Sequence, residues 1–348
     1  MNVRSLIDKL NSEHILSAVE FSGLLDCQDE TDRQYLFSLA RARTEKIFGT
    51  EVYIRGLIEF SNCCLNDCYY CGIRHSNTEV ERYRLSDADI LSCCTQGHTL
   101  GFRTFVLQSG EDMSFSCSHI VSLITEIKRR FPDCAVTLSI GEKTEQEYEA
   151  YRRAGADRYL LRHETADRIH YAKLKPPELT FEHRRSCLYE LKKLGFQTGC
   201  GFMVGSPFQT KDCLIEDLQF IHDFNPEMIG IGPFIPHHST PFCSYPAGSV
   251  SLTLLLTGIL RLMQPYALIP ATTALATADP EGRIKGILAG ANVVMPNLSP
   301  QAERCKYTLY DNKAVTGCEA AEHLVNLKKQ LSAVNRTLSA QRGDYFFR

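Results

Sequence analysis

"EVYIRGLIEFSNCCLNDCYYCGIR", residues 51–74, decides how the rest of this 348-residue chain is read. Its first ten residues are rich in β-branched and aromatic types, the composition of a buried strand. The strand runs straight into Cys63, Cys64, Cys68 and Cys71. Taken as Cys64-x3-Cys68-x2-Cys71, the cluster supplies three thiolates, one short of a four-coordinate shell. A structural zinc site recruits a fourth Cys or His, yet no later CxxC and no Cys or His pair at ligand spacing follows. An iron–sulfur cubane also prefers four thiolates, so three leave one iron open to a substrate or cofactor. Cys63-x4-Cys68 is another frame, but adjacent residues point in different directions, which leaves Cys63 spare.

The alternation of a strand-like run with a helix-like one continues along the chain. The β-rich runs are 51–60, 104–108, 135–140, 158–162, 197–205, 228–234, 267–272 and 291–296. Helical patterns such as "SDADILSCCTQGHTLG" and "FEHRRSCLYELKKLG" lie between them. The first opens on Ser86 as N-cap, and each ends at a glycine, Gly101 or Gly195, suited to a C-cap. Eight strands alternating with helices imply parallel pairing and a (β/α)8 TIM barrel over residues 51–310. Residues 1–50 read as an N-terminal helical extension. Residues 311–348 read as a closing helix, about 317–333, with a polar tail.

Composition narrows the function. Net charge is −3, so no basic field draws nucleic acid or an anionic membrane surface, and no apolar run approaches a membrane span. The opening "MNVRSLIDKLNSEHILSAVEF" is unlike a signal or transit peptide. The fifteen cysteines are mostly scattered through apolar segments (Cys187, Cys200, Cys213, Cys243), where they read as small buried hydrophobes. A reducing, cytoplasmic location is expected.

A barrel places its chemistry at the carboxyl ends of its strands. There the sequence offers Gln108, Ser109 and Glu111 in "LQSGED", Thr137 in strand three and Gly141-Glu142 in "SIGE". "GADRYLLRHET" adds Arg158, Arg162 and Glu164, whose charges are costly in a strand interior unless paired or liganded. Spacing of two pairs Arg162 with Glu164, and Arg184 is a second carboxylate clamp. Arg158, lacking an acidic neighbour on its face, is expected to border an internal cavity with Gln108, Thr137 and Thr272. Thr273, Met295, Tyr307 and Tyr310 follow later strands. His237-His238 reads as an exposed turn.

CxxxCxxC after a first barrel strand, with Tyr70 just before the last cysteine, resembles the radical S-adenosylmethionine (SAM) superfamily. The longer motifs "NDCYYCGIR", "LQSGED", "GADRYLLRHETA", "GIGPFIPH", "PATTA" and "GANVVMPN" are similar to the HydE family, maturases of FeFe-hydrogenase. The resemblance implies a 4Fe–4S cluster on Cys64, Cys68 and Cys71, and SAM held by Tyr70, Glu142, Arg162, Glu164 and Arg184. It implies reductive cleavage of SAM to a 5′-deoxyadenosyl radical. Its substrate cavity would be lined by Gln108, Ser109, Thr137, Arg158, Thr272, Thr273, Met295, Tyr307 and Tyr310. The implied partners are a small organometallic or amino-acid-derived substrate, other hydrogenase maturases and a reductant such as ferredoxin or flavodoxin. The rival readings are a related amino-acid mutase and a non-catalytic iron–sulfur carrier. Two departures stand out. Only Cys318 occupies the region where some members hold an auxiliary cluster, so none is expected, and "SPFQT" (206–210) replaces the family's "LPGQT".

Overall fold

The alternating runs close into a barrel in the computed structural model, which describes residues 2–314, 321 and 324–346. Its strands are β1 (Glu51–Ile54), β2 (Gly56–Ser61), β3 (Thr104–Ser109), β4 (Ala135–Ser139), β5 (Arg158–Leu160), β6 (Gln197–Cys200), β7 (Met203–Val204), β8 (Met228–Ile229), β9 (Gly232–Pro233), β10 (Val293–Val294) and β11 (Thr337–Ser339). β2, β3, β4, β5, β6 and β8 pair in parallel in that order. Single bridges Met228↔Leu268 and Pro270↔Val293 carry the seventh run; Pro270 has no N–H, so no continuous ladder forms there. β10 pairs with β1 (Tyr53↔Val293), and Leu57↔Asn297 completes the circle.

Period-two alternation sorts the staves. On β4, Val136 and Leu138 join the outer core while Thr137 faces inward. On β5, Tyr159 packs outward against Tyr148, with ring centroids 5.1 Å apart. Ser86 caps helix Asp87–Thr99 through a reciprocal capping box with Asp89. Gly101 and Gly195 adopt φ +94° and +78° just past their helices, as helix ends require. The N-terminal extension is three helices, Val3–Glu13, Ala18–Leu25 and Glu30–Phe48. The first and third pack on helix Val250–Met263, which is buried on nearly every side and mostly apolar, with Arg261 the charged exception.

The C-terminal region departs from expectation. The closing helix is Leu324–Ser332; most of 317–323, including Cys318, lies outside the described residues. Residues 337–346 are no free polar tail: β11 pairs with β1, and the residues after it seal the base of the barrel. Arg158, fully buried, donates to Asp344 Oδ1 at 2.6 Å, to the Arg342 and Gly343 carbonyls, to Thr104 Oγ1 and to Gln197 Oε1. The expectation that Arg158 borders a substrate cavity is therefore corrected. Its missing carboxylate arrives from far along the chain, in a segment read as a tail.

Candidate active site

β2 delivers the cysteine loop at its carboxyl end. Gly110 lies so close beneath that a β-carbon there would collide with the Cys63 carbonyl and Cys64 Cβ. The Cys71 N–H donates to the Cys68 carbonyl at 3.2 Å and the Arg74 N–H to that of Cys71. Asp67 fastens the turn by accepting from Arg74 Nε at 2.7 Å and from the Ser76 N–H at 3.0 Å. Cys63 turns aside, its thiol 3.8 Å from the Tyr83 carbonyl. Burial pushes the Cys64 thiol up to about 11. It pushes Cys71 higher still, with Cys68 and Cys64 adding like charge.

Past β5 lies a charged cradle. Arg162 Nη2 stands 3.3 Å from Glu164 Oε2. Strand alternation is not what brings them together, because β5 stops at Leu160 and Glu164 turns into the left-handed region at φ +69°. Arg184 Nε approaches Glu142 Oε1 at 2.7 Å, each side chain 8% exposed. Despite these short approaches, Arg162 Nε and Nη2, Glu164 Oε2, Glu142 Oε1 and Arg184 Nε are buried without an aligned hydrogen bond among the described residues. Buried charged groups normally find such partners, so the cradle fits a zwitterionic ligand carrying both ammonium and carboxylate, as SAM does. Tyr70 joins the same surroundings: burial first, then Glu164, raises its phenol well above the usual range. One contributor, Lys175, escapes the sequence reading, whereas Gly141 is anticipated there. Lys175 is 2% exposed, its ammonium 5.3 Å from the Tyr171 ring centre. Gly141, at φ +79°, is needed because a β-carbon there would strike the Glu111 carboxylate.

The expected substrate residues separate into layers. Thr137 and Met295 line a small internal void of about 20 Å³ with Arg55, Val106, Leu160, Met228, Gly230, Leu268 and Pro270. The guanidinium of Arg55, unremarked in the sequence because it sits inside the first strand run, has one hydrogen-bond partner among the described residues, Met228 Sδ at 2.9 Å. Among the described residues its Nε and Nη2 have none, nor do the hydroxyls of Thr137 and Thr272. Thr272 precedes helix Thr273–Ala278 but makes no capping bond. Burial, then the charge of Arg158, pushes Arg55 well below its usual pKa. Gln108 Nε2 donates to the Tyr307 hydroxyl at 3.3 Å, whereas Ser109 is engaged locally with the Gly110 carbonyl. Tyr307 and Tyr310 border a separate cavity of about 520 Å³ with Lys313, His237, His238 and Asp311. His237 is buried, not part of an exposed turn, and Cys243 is exposed rather than a core residue.

Comparison with known proteins agrees with this geometry. Residues 58–221 match the model of the Radical SAM superfamily. The chain is 43% identical over 313 residues to the [FeFe] hydrogenase maturase subunit HydE of Thermotoga maritima, covering 90% of this chain and 89% of that one. It is 29% identical to 3-methylornithine synthase of Methanosarcina acetivorans, over 80% and 79% of the two chains. The crystal structure of methylornithine synthase (PylB) superposes with a TM-score of 0.86 at 25% identity, covering 96% of this chain and 97% of that one. The closed parallel barrel, the three-cysteine loop and this degree of identity together make the chain a member of the HydE family of radical SAM enzymes.

Proposed function

We propose that the chain takes part in assembling the FeFe-hydrogenase active site, acting on a small anionic unit such as a cysteine-bound iron carbonyl/cyanide or a related thiol. The observation that carries this reading is Arg55. Among the described residues, two of its N–H-bearing nitrogens lack partners inside the barrel, next to the equally unpartnered Thr137 hydroxyl. An unpaired buried charge costs on the order of several kcal/mol, and an anionic ligand offsets it. The void beside it is small, but two of its walls are Met228 and Met295, thioether chains that repack readily.

In this reading Cys64, Cys68 and Cys71 hold a 4Fe–4S cluster. Arg162 and Arg184 fork onto the SAM carboxylate, Glu164 and Glu142 accept from its ammonium or ribose hydroxyls, and Tyr70 packs beside them. Once bound, cluster and SAM supply reductive cleavage to a 5′-deoxyadenosyl radical. The chain's own part is to orient and to keep dry: Arg55, Thr137, Thr272 and Gln108 hold the substrate below, and the apolar stave walls exclude water.

Anaerobic reduction with SAM should release 5′-deoxyadenosine, measured by chromatography; none would end the radical reading. Arg55→Met should keep that uncoupled cleavage while lowering hydrogenase maturation, reconstituted with partner maturases, by more than about tenfold. Normal maturation by this variant would end the anionic-substrate reading. The near end-to-end superposition on methylornithine synthase favours one alternative, an amino-acid mutase whose substrate carboxylate sits on Arg55. Formation of 3-methylornithine in the same assay would select it.

A further inference from the structure

Glu164 carries a β-carbon yet sits at φ +69°, a conformation that persists where its surroundings over-determine it. Those surroundings are a closed set of hydrogen bonds running through His163 and Asp217, whose side chains are not among the proposed ligand contacts. The Gly201 N–H donates to His163 Nδ1 at 3.2 Å. That fixes the ring proton on Nε2, which lies 3.1 Å from Asp217 Oδ1. The same Oδ1 accepts from the Ala166 N–H at 2.6 Å, while the Gly201 carbonyl accepts from the Glu164 N–H at 3.0 Å. Residues 163–166 are thereby tied to the end of β6 on one side and to helix Lys211–Phe224 on the other.

The cost of this arrangement argues for a purpose. His163 is 2% exposed and Asp217 not at all, and Asp217 Oδ2 has no hydrogen-bond partner among the described residues. Phe220 and Phe202 pack on the imidazole, with centroids 4.7 and 5.9 Å away. Burial holds His163 neutral, down to about 3, and pushes the Asp217 carboxyl up. A fold needing only a filled core there would gain more from an apolar pair.

We infer that His163 and Asp217 are positioning residues for SAM binding, their hydrogen bond fixing the left-handed turn that aims the Glu164 carboxylate into the cradle. The inference rests on Glu164 being a SAM contact, as proposed above. Its test compares four variants of the cluster-loaded enzyme under anaerobic conditions. SAM affinity is measured by equilibrium dialysis, and the reduced cluster's electron paramagnetic resonance spectrum is recorded with and without SAM. Asp217→Ala and His163→Phe, the latter keeping the ring's volume, should each weaken SAM binding about tenfold and raise the SAM concentration needed to shift the spectrum. Iron content should not change. Asp217→Asn keeps an oxygen that accepts both bonds and should bind nearly as the wild type does. Normal binding in His163→Phe and Asp217→Ala, beside weakened binding in Glu164→Gln, would overturn the positioning role alone. Normal binding in Glu164→Gln would remove the Glu164 contact and the inference with it. If Asp217→Ala does not fold, Asp217→Asn against His163→Phe decides: equal loss in both overturns the role given to the accepted bonds.

Discussion

Phe208 of "SPFQT", at a position where the resemblance led glycine to be expected, holds its backbone at φ +66°. A β-carbon in the left-handed region costs about 1–2 kcal/mol, and a ring 45% exposed recovers part of that against Tyr245 and Phe242. Removing the ring alone therefore should not reveal the strain; comparing two truncations should. Phe208→Gly is expected to be more stable than Phe208→Ala by about 1 kcal/mol, the reverse of the usual order, read from thermal or urea melts. The cysteines carry a second expectation at this scale. Cys64→Ala, Cys68→Ala and Cys71→Ala should each lose the reconstituted cluster's absorbance, whereas Cys63→Ala, whose thiol points at Tyr83, should keep it. The proposed cysteine frame rests on ligand spacing, which is a local pattern. The buried arginines could not be read that way: Arg158 looked unpaired and is paired, while Arg55 looked like an ordinary strand residue and, among the described residues, has only the Met228 thioether as a side-chain partner. What separates them is the position of Asp344, which no local pattern announces.

The segment 337–346 shows the same limit for an element. Its composition is polar and its strand is three residues long, so propensity gives no reason to place it in the barrel. Long-range pairing with β1 and the Arg158 charge supply that reason. Asp344 is 39% exposed, so a full buried-pair penalty is too large; Asp344→Ala is expected to cost about 2 kcal/mol in urea unfolding. Burial alone would raise the Asp344 carboxyl, but Arg158 and Arg342 outweigh it and hold the carboxyl below its usual range. A depressed carboxylate contributes stability above its unfolded pKa, near 3.9, and loses it as pH falls through the lower folded value. The wild type should thus lose stability more steeply than Asp344→Asn below about pH 4, and match its slope near neutrality, in melts across that range.

At the scale of the whole molecule the barrel was the most legible feature, since eight apolar runs spaced by capped helices admit few other topologies. How the circle closes was less so. The seventh stave is held by single bridges around Pro270, and the first is shared between β10 and β11. That sharing bears on how the chain is made. Tyr53 pairs with both Val293 and Ser339, so as the ribosome extrudes the chain, β1 has neither neighbour until most of the protein has been synthesised. Such distant pairing slows folding, and an apolar strand edge left open meanwhile invites association between nascent chains. Chains released before β11 should stay soluble only with a chaperone present, as sedimentation of arrested translation products would reveal. Output of this enzyme in a cell would then depend on chaperone supply during synthesis as much as on iron.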